Sequence, residues 1–204
     1  MAQTTFEKMV AGQAYKPDAH CSSSYRAALE LCLDYERLYL ANDPGHRQLL
    51  HSIFGSVGQN VEIRPSIRVD YGINTHIGSD CFFNFNTIIL DVAPVTLGQA
   101  VLVGSNVQFL TPTHPLNPLD RRQGWEGGLA ISVADNVWIG SGALILPGVS
   151  IGENSVIGAG SVVSSDIPAN SVAVGNPARV CKTLNKGQRP ASGQFSAAAL
   201  GISS

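Results

Sequence analysis

The sequence predicts a mainly β protein coiled into a parallel β-helix of hexapeptide repeats, and three observations carry that prediction. Every sixth residue from Val133 is aliphatic without a break: Val133, Ile139, Ile145, Ile151, Ile157 and Val163. Glycines stand in the spacers after four of them, at Gly140, Gly148, Gly152 and Gly158. The same step runs backwards in triplets, Leu97–Val103–Phe109, Ile77–Phe83–Ile89 and Val57–Ile63–Val69, with two-residue slips before Ile77 and Leu97. A period of six fits neither the 3.6-residue helical face nor the two-residue alternation of a strand. It fits a coiled ribbon in which each short strand gives one branched side chain to a central core and a small residue turns the corner. Three hexads close one triangular coil, so residues 57–175 supply roughly five coils. An ordinary sandwich rich in Val and Ile would not hold six consecutive branched residues in one register.

Residues 1–56 lack the period and are expected to form a small helical segment. Thr5 to Val10 starts a short helix that stops near Gly12. Ser22 to Ser24 is expected to cap a second helix carrying Tyr25, Ala28, Leu29, Cys32 and Tyr39 on one side. Asp43-Pro44 reads as the cap and first position of a third helix, with Leu49, Leu50, Ile53 and Phe54 as its apolar face and Gly55 as its stop. These helices are expected to cover the open end of the coil, because an exposed strand edge invites pairing with other chains.

After Phe109 the register would fall on Pro115, Arg121 and Gly127, none of which can fill an aliphatic core. Residues 113–130 are therefore expected to leave the coil as an extruded loop, entered through Thr111-Pro112-Thr113-His114-Pro115. Long insertions in compact domains are usually functional. Residues 176–204 read as a basic segment followed by a flexible tail. No acid follows Asp166, while Arg179, Lys182, Lys186 and Arg189 are cationic, and Gly, Ser, Ala and Gln dominate from Gly187. Arg179 and Lys182, directly after the last coil, suit anion binding.

A formal charge of −2 over 204 residues argues against a nucleic-acid surface. No apolar run is long enough for a membrane span, and the N-terminus does not resemble a signal peptide. Cys21, Cys32, Cys81 and Cys181 are scattered without CxxC spacing, which suits buried thiols in a reducing compartment, so a cytoplasmic location is expected. Of five histidines, His20, His46, His51, His76 and His114, the last stands where the repeat breaks, held between prolines at the mouth of the loop. A histidine so placed suits a general base for a hydroxyl nucleophile. No G-x-S-x-G elbow or Walker loop is present, and neither coil histidine has a second ligand at metal-binding spacing.

Several stretches together resemble one family. The Ile-Gly hexads, Asn84-Phe85-Asn86, Thr113-His114-Pro115, Asp135-Asn136-Val137-Trp138-Ile139-Gly140 and Gly175-Asn176-Pro177-Ala178-Arg179 look like the sugar O-acetyltransferases of the hexapeptide-repeat superfamily, the maltose and galactoside acetyltransferases. Ala11-Gly12, Tyr15 and Arg26 resemble their N-terminal acceptor-side segment, and Pro115 to Arg121 looks closer to the maltose branch. The resemblance implies left-handed coils, a homotrimer with sites between neighbours, and acetyl-CoA as co-substrate. His114 would take the proton of a sugar hydroxyl and Asn84 would stabilise the tetrahedral oxyanion. Trp138, Ser141, Ala159, Ser164 and Ser165 match positions along the CoA arm, and Arg179 and Lys182 match those near its phosphates. No metal is needed, because thiolate is a good leaving group once a base and an oxyanion donor are in place. Asp70 and Asp91 suit acceptors of sugar-hydroxyl hydrogen bonds, or equally turn formers.

Three departures stand out: Ser164-Ser165 replaces a Thr-Lys pair, Val92 replaces a second acid of the galactoside branch, and Asp18 lies one residue beyond the family's aspartate. Other readings keep the scaffold but change the acceptor to a non-sugar alcohol or amine, or make the protein a non-catalytic β-helix subunit. A metal hydratase of the γ-carbonic anhydrase type is disfavoured by the missing histidines.

Overall fold

A computed structural model describes residues 2–184; the expectations for Lys186, Arg189 and the tail from Gly187 lie outside the described residues. From Ser56 onward each pass of the chain makes three short strands, and each strand pairs in parallel with the one a coil above. The first face stacks Ser56–Val57, Thr75–Ile77, Val95–Leu97, Ile131–Val133 and Ser150–Ile151. The second stacks Glu62–Ile63, Phe82–Phe83, Leu102–Val103, Trp138–Ile139, Val156–Ile157 and Ser171–Val174, closed by Arg179–Thr183 in antiparallel sense. The third stacks Ile67–Val69, Thr87–Leu90, Gln108–Leu110, Leu144–Ile145 and Val162–Val163.

The six-residue step becomes three vertical columns of inward side chains. Val57, Ile77, Leu97, Val133 and Ile151 are register partners on the first face. Ile63, Phe83, Val103, Ile139, Ile157 and Ala173 are partners on the second. Val69, Ile89, Phe109, Ile145 and Val163 are partners on the third. All but the partly covered Val57 are buried. A sixth coil starts where Ile167 bridges Ile151.

Each corner solves its turn differently. Between the first and second faces Asn60, Asp80, Asn136, Asn154 and Asn170 take left-handed backbone, which short polar side chains tolerate. Their side chains form a ladder: Asn136 Nδ2 donates to Asn154 Oδ1 at 2.9 Å, and Asn154 Nδ2 to Asn170 Oδ1 at 3.1 Å. Between the second and third faces, a Cβ on Gly104 would meet the Ser141 nitrogen at 2.5 Å, and one on Gly140 the Ala159 nitrogen at 2.5 Å, so glycine is required by coil stacking.

The corner between the third and first faces is wider, and here the two-residue slips find their cause. Asp91 accepts hydrogen bonds from the amides of Tyr71 (2.8 Å), Gly72 (3.0 Å) and Asn74 (3.2 Å) and from the Thr75 hydroxyl (3.1 Å), organising the longer turn beneath it. One coil above, Pro112–Thr113 pairs antiparallel with Gly127–Gly128 to start the excursion, which carries a short helix, Pro118–Arg122, capped by Asn117. The loop is thus a folded hairpin rather than a structureless insertion.

Helices Thr5–Val10 (α1), Ala19–Leu40 (α2) and His46–Ile53 (α3) precede the coil. Two expected caps are corrected. Asp18, not Ser22 to Ser24, caps α2 by accepting from the Cys21 amide at 2.9 Å; the Ser22 and Ser23 hydroxyls instead donate back to the carbonyls of Asp18 and His20. Asp43 Oδ1 accepts from the Gly45 amide at 2.8 Å, a local turn that leaves Pro44 outside α3, whose cap position is Gly45. Leu50, Ile53 and Phe54 join the core of the first coil, and the Tyr35 hydroxyl donates to the Ile63 carbonyl. The helical segment therefore covers the open end.

Ile139, stacked between Val103 and Ile157 and fully buried, has no room to be replaced. Ile139→Ala is expected to destabilise the fold by about 2–5 kcal/mol, whereas Leu116→Ala, at a site 95% exposed, should change stability by about 0.5 kcal/mol or less. Urea unfolding of both variants checks the contrast.

Candidate active site

The candidate residues gather at two corners of the prism. At the second corner Asn84, Gly104, Gly140 and Gly158 form one column, fixed by the amides of Asn84, Gly104 and Gly140 donating to Val103, Ile139 and Ile157 carbonyls at 2.8 Å each. Phe85, Ser105, Ser141 and Ala159 form the next column, in which the Ser141 hydroxyl accepts from the Ser105 amide at 3.2 Å. Above Asn84 the column runs through Gly104, Gly140 and Gly158 and ends at Val174, whose side chain lies over Gly158. The Asn84 side-chain oxygen, Oδ1, accepts from the Phe85 amide at 2.9 Å. That bond orients the side chain, and its Nδ2 has no partner among the described residues. Beside the column Trp138 stands 51% exposed on the second face, in register with Leu102 and Val156. Arg179 and Lys182 are exposed on the closing strand at the upper end.

The third corner gathers the rest. His114 follows Thr113 at the base of the hairpin and is exposed. Asp70 lies one coil below Asp91 and lines a cleft of about 510 Å³ with Tyr15, Tyr25, Arg26, Tyr71 and Glu126. Tyr15 joins the N-terminal segment to the excursion: it exchanges backbone hydrogen bonds with Glu126, and its hydroxyl donates to Glu126 Oε2 at 2.9 Å. Lys16 Nζ adds a contact 4.9 Å above the Trp125 ring. Burial and the Glu126 hydrogen bond push the Tyr15 phenol up, so it remains a donor. Burial, with the Asp91 and Glu126 charges, pushes the Asp70 carboxyl up to about 7. Ser164 and Ser165 are exposed at this same corner, two coils above the hairpin. A larger cleft of about 730 Å³ beneath α3, lined by Arg47, His51 and Glu62, contains none of the expected site residues.

One expectation is corrected outright. Asp91 is fully buried, and its carboxylate is engaged by three amides and a hydroxyl, so it forms the turn and does not face an acceptor. Burial nevertheless raises its carboxyl above the usual range. Asp18 is likewise occupied as the α2 cap, and the Cys21 amide bond holds its carboxyl low. Asp70 remains in the cleft, as does Val92. Within one chain Asn84 and His114 stand at opposite borders of the third face. Strand geometry separates them by on the order of 15 Å.

Comparison with known proteins decides the family. The bacterial transferase hexapeptide family (six repeats) matches residues 130–165. A putative acetyltransferase of Schizosaccharomyces pombe is 44% identical over 189 residues, covering 88% of this chain and 91% of its own. The chain belongs to the hexapeptide-repeat acetyltransferases. Among solved structures, a maltose O-acetyltransferase from Clostridium difficile 630 superposes with a TM-score of 0.88 at 40% identity, over 91% of this chain and 100% of that one. A galactoside acetyltransferase in complex with coenzyme A gives 0.85 at 35% identity, over 90% and 92%. The enzyme class expected from the motifs is thereby established.

The sequence did not point to Tyr71, Glu126 or Trp125. Their place depends on Tyr15 meeting a residue 111 positions away, and no local pattern encodes that pairing.

The proton on Asp70 is released near pH 4 in the unfolded chain but held to about 7 in the fold. The stability this group contributes therefore falls as pH rises from about 4 to 7. Asp70→Asn is expected to raise Tm by roughly 2–5 °C at pH 8 and to leave it unchanged at pH 4, read by differential scanning fluorimetry across that range.

Proposed function

We propose that the protein transfers the acetyl group of acetyl-CoA to a hydroxyl of a sugar of the maltose or glucose class, at sites completed between copies of the chain in a cytoplasmic homotrimer. One observation carries the reading: the base candidate His114, at the base of the hairpin, and the oxyanion donor candidate Asn84 stand at opposite borders of the third face of a rigid prism, so they would meet only between two copies.

In this reading His114 takes the proton of the acceptor hydroxyl as that oxygen attacks the thioester carbon. Negative charge on the carbonyl oxygen is met by the Asn84 amide, a donor typically worth roughly 3 kcal/mol. Collapse of the intermediate breaks the carbon–sulfur bond, and the proton on His114 passes to the departing thiolate. The cofactor arm lies along the glycine column over Ser141 and Ala159, with Trp138 at its side and Ser164 and Ser165 contributed by the facing copy. Arg179 and Lys182 meet its phosphates, and no metal takes part. The galactoside enzyme crystallised with coenzyme A supports this cofactor.

Surface chemistry supports self-association. Outward positions of the second face include Phe82, Leu102, Trp138 and Val156, and those of the third include Ile88, Leu144 and Val162, while the first presents Ser56, His76, Thr96, Ser132 and Ser150. Half-buried and exposed apolar side chains gathered on two faces, with Gln108 as a polar break in the third, are the kind of surface that self-association covers. Val92 gives the acceptor cleft an aliphatic wall where the galactoside branch carries an acid, which favours a maltose- or glucose-like acceptor. The four cysteines are all unpaired, which suits a reducing compartment, and no helix among the described residues is long and apolar enough to cross a membrane.

His114→Ala is expected to lower kcat by about 10²–10⁴-fold with little change in CoA affinity; full activity in that variant would remove the base assignment. A second test separates shared from single-chain sites. Co-expressed His114→Ala and Asn84→Ala chains should recover roughly a quarter of wild-type activity, because each mixed cyclic trimer regains one intact site of three. No recovery, or a monomer by light scattering, contradicts sites between copies.

A further inference from the structure

The geometry points to Arg64 as the residue that binds an anionic substituent, a carboxylate or phosphate, on the acceptor. This rests on the acetyl-transfer reading and narrows its glucose-like acceptor to a sugar that carries an acidic group. The Arg64 amide donates to the Phe83 carbonyl at 2.9 Å, just as the Asn84 amide donates to Val103. Arg64 therefore occupies the same corner column as Asn84, one coil lower, about 4.8 Å away along the axis. Above Asn84 the column is Gly104, Gly140 and Gly158 up to Val174, and the proposed function gives that stretch to the cofactor. Whatever part of the acceptor extends beyond the reacting hydroxyl must lie level with Asn84 or below it, and the first side chain there is Arg64.

Its guanidinium is held in place, with its hydrogen-bond donors free. The Cζ atom lies 5.1 Å from the Phe82 ring centre and 5.2 Å from that of Phe85, so two aromatic contacts hold its plane. Glu62 Oε1 forms a loose, solvent-exposed ion pair with Nε at 3.9 Å, too long for a hydrogen bond, and among the described residues the side chain donates no hydrogen bond. It is 39% exposed. Arg68 on the adjoining face is spent differently: both terminal nitrogens reach Glu36 at 3.3 Å and one also donates to the Ile67 carbonyl. A planar fork with free donors matches the paired oxygens of a carboxylate or phosphate. Phe85, 45% exposed, leaves ring surface beside it for the sugar.

Initial rates with glucose, glucuronate and glucose 6-phosphate, followed by release of the CoA thiol, test the assignment. Wild type is expected to show kcat/KM at least tenfold higher for one anionic acceptor than for glucose, and the two anionic arms tell carboxylate from phosphate. Arg64→Ala should cut that ratio at least tenfold, mainly through KM, and Arg64→Lys should retain part of it. A wild-type preference for glucose, or an unchanged ratio in Arg64→Ala, overturns the assignment. If no acceptor is acetylated, the catalytic reading fails separately. Calorimetric titration of both anions into each variant, with CoA present and Tm matched, then decides: binding at least tenfold weaker in Arg64→Ala upholds Arg64, and equal or absent binding overturns it.

Discussion

Each strand of this protein pairs with the strand one coil above and one coil below, and that parallel hydrogen bonding locks successive coils into columns. The consequence reaches every level of the molecule. Inward columns are branched or aromatic up to the last coil, where Ala173 ends the second, because each side chain meets its own counterpart at the spacing of neighbouring strands. Outward columns stack in the same way, so the second and third faces are largely apolar, broken by Glu62, Arg68 and Gln108, while the first is polar. Corner columns are the most demanding: at Gly104 and Gly140 a side chain would strike the next coil's backbone. The run of glycines above Asn84 is thus a consequence of coil stacking.

The third corner shows how a regular solenoid accommodates an irregular site. A carboxylate buried at Asp91 gathers four donors from the turn below and widens the corner. One coil higher the chain leaves the prism as a hairpin, and Tyr15 fastens that hairpin to the N-terminal segment through Glu126. The cleft containing Asp70 exists because these three pieces meet. Charge follows the packing: Asp70 is shielded from water beside two other acids, and its proton is held to about 7. A neutral carboxyl can donate as well as accept, which suits a ligand rich in hydroxyls.

The sequence was most readable where one physical rule acts locally and repeats. The positions of the inward columns, the break after Phe109 and the helical cover all follow from the six-residue step and its absences. The caps were misplaced because Asp18 and Asp43 lie before helices whose apolar faces begin later, so the helix starts carry no periodic signal. Asp91 was ambiguous for a related reason. A corner aspartate looks the same in sequence whether it faces a ligand or a turn, and only its depth of burial separates the two. Tyr71, Glu126 and the stacking of Arg64 on Phe82 and Phe85 belong to contacts between distant segments or neighbouring columns, where side-chain direction matters and spacing alone is silent.

The rigidity of the prism also bears on why copies of the chain should be needed for chemistry. A parallel stack has no hinge: bringing its second and third corners together would break a hydrogen-bonded face. A reaction that needs a base from one corner and an oxyanion donor from another must then take them from two prisms set side by side. Two apolar outward faces flank the second corner, and closed association of three such prisms would place that corner against a neighbour's third. Placement of the cofactor arm would then be set by the glycine column of one copy and the serine pair of the next. The acceptor would be read by the cleft of one chain and by Arg64 of another. On this view specificity for the acceptor is a property of the interface, and substitutions at Arg64 and Asp70 act on one bound molecule from two different chains.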